Sequence, residues 1–420
     1  MTSEPTSKSG TSPGLWTKSN RFMLFSFPLG HLVNDWPGAA LWLLAPAIAI
    51  SMDLSSVEVG LLISIHAAVA SLAYFPAGLI GDFIRNRGLL LTCTFWWVAI
   101  GYFLAASAPD FWTLAILLGL AGLGDAAWHP IATGAMVEQM PGRRAQVLGI
   151  HALGGTLAEV GAPLSVGFLL GFFDWQTVLQ ISTIPAFLMA VAFLWYRKRV
   201  PMPRETSVTR HDLKSMLGIW LRPEGLKTTA IIILYNMSLM GGLAMLPLYI
   251  QNDHGISMAQ SGVLFASVWV VGALAQPFLG QLSDVIGRKQ VIMVALTAAA
   301  ALLCIVSVSD SLVWIVTLLL IGLGALVGVR AVLLAAMVDV SGKRESTTLG
   351  FAFAVMDGVG ALGAFLAGIA GRNDLRYAFV FAAVVALLAM VLTMLHRFKD
   401  TRGAGTIDTG DDNSISRKAG

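Results

Sequence analysis

Twelve apolar stretches fix what this chain can fold into. They run at about 22–50, 59–80, 89–108, 111–139, 146–171, 177–196, 227–251, 258–282, 289–308, 312–338, 346–370 and 376–396. Each is close to the roughly 20 residues that a helix needs to cross the hydrocarbon of a bilayer. In lipid every backbone polar group must be satisfied internally, so such stretches fold as helices. Only 12% of the residues are charged and 56% are hydrophobic, whereas soluble domains carry about 25% charge. The chain is therefore an all-α integral membrane protein, with the bilayer as its first partner. Several stretches exceed the bilayer's need. Pro37, Pro46, Pro130, Pro163 and Pro247 lie inside them as candidate kinks.

Composition also excludes function classes. The charges sit in the connections and form no basic stripe, so no nucleic-acid partner is expected. Cys93 and Cys304 lie inside apolar stretches, which leaves no disulfide framework and no metal spacing. No P-loop and no nucleophile constellation is visible, so the chain reads as neither an ATPase nor any other enzyme, with no cofactor. Residues 1–21 are rich in Ser, Thr and Pro and read as a disordered arm rather than a signal peptide. The first helix would then act as an uncleaved insertion signal.

Lys and Arg set the orientation. With the N-terminus inside, 24 of the 27 basic residues fall on the inner side; the outer loops hold only Arg372 and Arg376, and Arg330 lies inside a stretch. By the positive-inside rule both termini are cytoplasmic. Residues 197–226, with Pro201, Pro203 and Pro223, read as a cytoplasmic linker between bundles at 22–196 and 227–396. A short surface helix is expected around His211–Trp220. The tail, 397–420, reads as disordered.

An internal repeat relates the bundles. Ala135-Met136-Val137-Glu138, then Arg143 and Leu148-Gly149, recurs as Ala336-Met337-Val338-Asp339, Arg344 and Leu349-Gly350, at an offset of 201. Gly78 and Asp82 recur as Gly280 and Asp284 at 202. Two parallel six-helix copies with a midplane site between them form an alternating-access layout.

Ionisable groups inside the stretches are the candidate site. His31 and Asp35 share a face of the first helix, with Asn34 beside them. An Asp at a helix centre costs roughly 2.5–3.5 kcal/mol on insertion scales, so a retained one marks a solute or proton site. The competing reading is a polar clasp between helices. Asp125 and His129 are likewise four apart; Glu159, Arg330 and Asp357 stand singly in later helices. His129 corresponds to Arg330 at the offset of 201. Arg330 is always charged and needs an anion: Asp35, Asp125, Asp357 or an anionic solute. His66 and His151 read as structural. Tyr235, Asn236 and Trp269 read as lining residues by position alone, and Glu138 and Asp339 as gate or anchoring charges at helix ends.

Gly280-Gln281-Leu282-Ser283-Asp284-Val285-Ile286-Gly287-Arg288-Lys289 resembles the signature between helices 8 and 9 of the major facilitator superfamily. Its first-half equivalent runs from Gly78 through Asp82 and Arg85 to Arg87. Val285 and Phe83 replace a basic residue of the family pattern, and Arg85 replaces the glycine matched by Gly287. The first copy is therefore expected to form the weaker gate. The fifth stretch, with Gly149, Ala158, Ala162-Pro163 and Gly167, resembles a degraded form of that superfamily's antiporter motif, with alanines at two glycine positions. His31-x-x-Asn34-Asp35 and Gly122-Leu123-Gly124-x-Ala126-x-x-His129-Pro130 resemble its fosmidomycin-resistance-like branch, with Asp125 and Trp128 as departures.

The resemblance implies a twelve-helix major facilitator fold in which helices 1, 4, 7 and 10 line the cavity. It also implies a motif that gates rather than touches solute, function as a monomer, and a bacterial inner membrane location. The expected activity is proton-coupled efflux of a small organic solute, with protons as the second partner. A symporter or facilitative importer on the same fold is the nearer rival, and a non-transporting membrane receptor the distant one.

Overall fold

The computed structural model describes residues 18–140, 143–202, 218–341 and 345–398. Residues 18–21, expected to be the end of a disordered arm, instead form the first turn of α1, because the apolar run that follows extends the helix back to them; the rest of the arm, the tail beyond residue 398, most of the expected linker helix, and Lys343 and Arg344 lie outside these ranges. Among the described residues twelve helices are long and apolar enough to span a membrane. They are α1 (Lys18–Met52), α2 (Ser56–Ser71 and Tyr74–Phe83), α3 (Arg87–Ala105), α4 (Phe111–Gln139), α5 (Arg144–Leu169) and α6 (Trp175–Tyr196). The second half holds α7 (Pro223–Asn252), α8 (Met258–Ile286), α9 (Arg288–Val306), α10 (Leu312–Ser341), α11 (Glu345–Gly358 and Leu362–Ala370) and α12 (Arg376–Leu395).

The helix ends follow local chemistry. At the end of the bundle far from the chain termini, Asp110 and Asp174 accept hydrogen bonds from the backbone N–H groups of Thr113 and Thr177 at 3.0 and 2.7 Å. Ser55 with Glu58, and Ser257 with Gln260, close capping boxes that start α2 and α8. These caps satisfy donors that a helix start otherwise leaves orphaned.

Two spans are broken at the same level. In α2 the break falls at Leu72–Ala73, because Pro76 has no N–H and its ring crowds the carbonyl of Leu72. In α11 it falls at 359–361, where the N–H of Gly360 reaches back five residues to the Val355 carbonyl at 3.2 Å. Asn236 of α7 packs against Gly360 and donates to the Met356 carbonyl at 2.7 Å, where a β-carbon on Gly360 would collide.

The halves join through α2 with α11, α5 with α8, and α1 with α7. At the far end they are knit tightly. Ser64 Oγ donates to the Ala361 carbonyl at 2.6 Å and accepts from the Phe365 N–H at 3.1 Å. Ser56 Oγ donates to the Gly368 carbonyl at 3.1 Å. Gly60 lies against the Ala364 backbone, and Gly262 against the Pro163 carbonyl. A buried apolar cluster crosses the seam there, joining Ala45, Val59 and Ile63 to Met245, Leu248 and Ala364.

Toward the terminus end, the first half closes its own cluster around Met23, Phe27, Phe95, Trp128 and Met136, whose buried members all come from that half. Gly134, Gly149, Gly280 and Gly350 there have nothing within 4 Å of an added β-carbon. The close backbone approaches between the halves thus lie at the far end, while these glycines at the terminus end face open space. Gly167, which also meets the Met258 carbonyl across the seam, shows that the small residues of α5 serve the junction with α8.

The two copies of the motif depart from the expected strengths. Arg87, 2% exposed, binds Glu138 bidentately at 2.7 and 2.9 Å, Asp82 at 3.2 Å and the Gly81 carbonyl at 2.7 Å. Arg288 reaches Asp339 with Nε at 3.3 Å, and with Nη1 it reaches Asp284 and Ser283 Oγ, each at 2.5 Å. The first copy therefore forms the tighter clamp, contrary to the expectation from its missing motif residues. The reason is the turn. Gly287 alone separates α8 from α9, at φ 103°, a conformation that favours glycine. In the first copy three residues separate α2 from α3, Asn86 caps α3 at φ −95°, and no glycine is needed where Arg85 stands. Arg85 is exposed, and Lys289 holds the chain end by donating to the Met394 and His396 carbonyls at 2.6 and 3.1 Å.

Candidate functional site

The broken level of α2 and α11 is also the level of the buried ionisable groups. α1 supplies His31, Asn34 and Asp35; α4 supplies Asp125, Trp128 and His129; α5 supplies His151. Glycines bring these helices close. A β-carbon on Gly155 would meet the His31 ring at 2.6 Å, and one on Gly38 would meet Asp125 Oδ2 at 3.2 Å.

His31 is held at both ring nitrogens. Nδ1 lies 2.9 Å from the carbonyl of His151, and a carbonyl only accepts, so Nδ1 carries hydrogen. Nε2 lies 3.1 Å from Asp35 Oδ2. That contact is favourable only with a proton between the two groups, on the imidazole or on the carboxyl. His129 Nε2 faces two carboxylates, Asp35 Oδ1 at 3.5 Å and Asp125 Oδ1 at 3.8 Å. Asn34, fully buried, donates to Asp125 Oδ1 at 2.5 Å, to the Asp125 carbonyl at 3.1 Å and to Asp35 Oδ1 at 3.3 Å. Two acids and two histidines thus face one another across the α1–α4 contact.

The site also contains residues that sequence reasoning placed elsewhere. His151, read as structural, stacks on His31 at 4.3 Å and on Trp128 at 5.3 Å, and both its ring nitrogens are buried without partners among the described residues. Its link to His31 runs through its backbone carbonyl, for which the sequence held no signal. Tyr74 was not singled out. It follows the break in α2, donates to Asp357 Oδ2 across the seam at 2.7 Å, and sets its ring beside His129 at 6.1 Å and Phe353 at 6.2 Å. Its position two residues before Pro76 was the available signal. His66 bonds Tyr102 at 2.6 Å, a tie within the first half that fits its structural reading.

On the facing wall, Arg330 lies with its guanidinium over the Phe353 ring at 5.7 Å. Among the described residues it has no ion pair. Its charge reaches Glu159, Asp357 and Tyr235. The candidate residues are therefore brought together as two facing groups. One is titratable, on α1 and α4; the other is a fixed cation on α10, with Asp357 bridging to the first half through Tyr74. The histidine and acid nitrogens and oxygens also lie close enough to consider a metal, with His31, His129 and His151 within 4.8 Å of one another. His31, however, already uses both nitrogens.

Comparison with known proteins places this geometry. The family model for the Major Facilitator Superfamily matches residues 29–273 and 228–416. A probable sugar efflux transporter of Helicobacter acinonychis is 32% identical over 174 residues, covering 40% of this chain and 43% of that protein. A putative metabolite transport protein of Haemophilus influenzae is 24% identical over 384 residues, 88% of this chain and 92% of that one. A hexuronate transporter of Bacillus subtilis is 25% identical over 283 residues, 64% and 65% of the two chains. The chain thus spans less than half of the first of these relatives. In fold, the crystal structure of a bacterial homolog of the human lysosomal transporter Spinster, inward-facing and unoccupied, aligns with a TM-score of 0.76 at 17% identity, over 90% of this chain and 97% of that one. The nucleoside transporter NupG aligns at 0.72 and 14% identity, over 89% and 98%.

Proposed function

The chain belongs to the Major Facilitator Superfamily, and from that premise we propose that it is a secondary transporter that exports a small organic solute by alternating access in exchange for protons. One observation carries the coupling. His31, pinned by its Nδ1–H to the His151 carbonyl, meets Asp35 at 3.1 Å in a contact that needs a proton, and His129 stands between Asp35 and Asp125. A proton leaving this group frees acceptors that a solute's own donors then occupy. Solute and proton thereby compete for the same oxygens.

The cycle follows. With the far end closed and the terminus end apart, solute enters from the terminus side while a carboxylate among Asp35, Asp125 and Glu159 is deprotonated. The halves then rock about the seam, and a proton from the opposite side displaces the solute and resets the site. The 24 inner basic residues support cytoplasmic termini, so the state described here is read as open to the cytoplasm. A bacterial inner membrane and a functional monomer complete the reading. His31-x-x-Asn34-Asp35 and the α4 motif support the fosmidomycin-resistance-like branch, and the named relatives support sugars or small metabolites as cargo.

Ala158 and Ala162, standing where the antiporter motif has glycines, favour a second reading, proton symport into the cell. Flux in vesicles with an imposed pH gradient separates the two, using labelled sugars and sugar acids. Antiport accumulates solute in vesicles loaded with acid; symport accumulates it when the outside is acid. Equilibration without accumulation under either gradient contradicts proton coupling.

A further inference from the structure

The acids and histidines of α1 and α4 have the spacing of a ligand shell. His31 Nε2 lies 3.1 Å from Asp35 Oδ2, and His129 Nε2 lies 3.5 Å from Asp35 Oδ1 and 3.8 Å from Asp125 Oδ1. The Asp35 carboxylate thus turns one oxygen to each histidine. A ring nitrogen from each of His31, His129 and His151 lies within 4.8 Å of the other two, and the donor atoms of Asp35, Asp125 and His129 keep the same limit. Ligands held at about 2.0–2.1 Å around a tetrahedral ion stand about 3.3 Å from one another. The three measured contacts bracket that value.

The outer contacts fit the same purpose. His31 keeps its Nδ1–H on the His151 carbonyl at 2.9 Å, which leaves Nε2 as the nitrogen that faces the group. Asn34 Nδ2 donates to Asp125 Oδ1 at 2.5 Å and to Asp35 Oδ1 at 3.3 Å, and so holds two like-charged oxygens on one side. Metal-bound histidines and carboxylates are commonly oriented in this way. His151 is an independent sign. It is 4% exposed and stacked between His31 and Trp128, yet both its ring nitrogens lack partners among the described residues. An apolar ring would fill that place without unmet hydrogen bonds.

Two imidazoles and two carboxylates suit a divalent first-row transition ion. Ca²⁺ and Mg²⁺ take oxygen shells, and Cu(I) takes sulfur. Cys93 and Cys304 lie on other helices, α3 and α9. Two carboxylates also cancel the charge of one divalent ion, as a membrane interior demands. We propose that His31, His129, Asp35 and Asp125 bind one such ion, Zn²⁺ being the representative, with His151 as a fifth donor. The ion replaces the proton that the His31–Asp35 contact otherwise needs. It also occupies the oxygens that solute and proton exchange, and so blocks transport; that consequence, unlike binding itself, rests on the transporter reading.

The test is calorimetric titration of Zn²⁺ into the purified full chain, free of any affinity tag, in detergent and in two buffers of different ionisation heat. One ion should bind per chain with a micromolar Kd or tighter and release protons, while Ca²⁺ should not bind. His129→Gln and Asp125→Asn should each weaken binding about 100-fold or more. His254→Gln, in the turn after α7, should leave it unchanged. X-ray absorption of the zinc-loaded wild type decides the matter if the variants do not fold: two imidazoles among four or five nitrogen and oxygen neighbours support the site, and a shell without imidazole overturns it. No Zn²⁺ binding, equal binding of Ca²⁺, or Zn²⁺ affinity unchanged in both variants also overturns it. Zn²⁺ bound in this shell without inhibition of vesicle flux would support the metal site and contradict the proton-exchange reading of the group.

Discussion

At the offset of 201 residues, Asp35 of the first half corresponds to Asn236 of the second, and His129 to Arg330. In the first half the two positions hold an acid and a histidine 3.5 Å apart, both able to gain or lose a proton. In the second half the equivalent positions hold an amide, tied to the Met356 carbonyl, and a cation that never titrates. One scaffold, duplicated, thus carries titratable groups in one half and a fixed charge at the equivalent place of the other. The two arginine clamps differ as well. The Arg87 clamp is buried and bidentate, whereas Arg288 pairs with an Asp284 whose side chain is 63% exposed. Under the proposed exchange of solute for protons, such an arrangement would let the first wall change its affinity with proton occupancy while the charge of the second stays constant.

The clamps should differ most when broken. Arg87→Met leaves the partly exposed Glu138 and Asp82 without their buried partner and should cost about 3 kcal/mol. Arg288→Met loses a solvent-screened pair with Asp284 and a single longer contact with Asp339, and should cost less, about 1–2 kcal/mol. Melting temperatures of the two variants in the same detergent check this, and equal losses would erase the distinction between the clamps. Next in size, Asp35→Asn should slow pH-driven transport roughly 100-fold, the usual scale for losing a positioned proton carrier. His129→Arg, which gives the first half the fixed charge of the second, should abolish the pH dependence while the protein still folds. Vesicle flux at several pH values reads both. Tyr74→Phe removes the hydrogen bond that ties the α2 break to Asp357. At about 1 kcal/mol it should shift the balance of conformations about fivefold away from the state open at the terminus end, as read by spin-label distances.

The smallest effect lies at the chain end. His396, 2% exposed, bonds Thr228 at 3.1 Å, and burial, followed by the Lys227 charge, holds its pKa below the usual 6.5. Its folded pKa is therefore below its unfolded one. The stability of this contact is complete above 6.5 and declines as pH falls from there toward the folded value. His396→Gln should flatten that part of the melting-temperature profile.

Spans, repeat and the His31–Asp35 and Asp125–His129 pairs were legible in the sequence because they depend on local spacing: length against bilayer thickness, four residues per helix face, and an offset between copies. His151, Tyr74 and the order of clamp strengths were not. Each depends on how helices far apart in sequence meet. His151 enters through a backbone carbonyl, which no side-chain pattern encodes. Tyr74 acts across the seam, on a residue 283 positions away. The clamp strengths turn on loop length, since one extra residue between Asp82 and Arg87 frees the first copy from the glycine that its motif lacks. Pro76 was a readable sign that α2 breaks, but what the break positions was visible only in three dimensions.

The central claim is that proton exchange at Asp35 drives the two halves from one arrangement to the other. It can be tested without knowing the solute. Spin labels on Ile84→Cys and Val285→Cys, both exposed at the terminus end of opposite halves, report the opening in a chain whose Cys93 and Cys304 are replaced by serine. The account predicts a distance distribution that moves between two populations as pH is changed, and that stays in one population at every pH in Asp35→Asn. A distribution that shifts equally with pH in both proteins would contradict it.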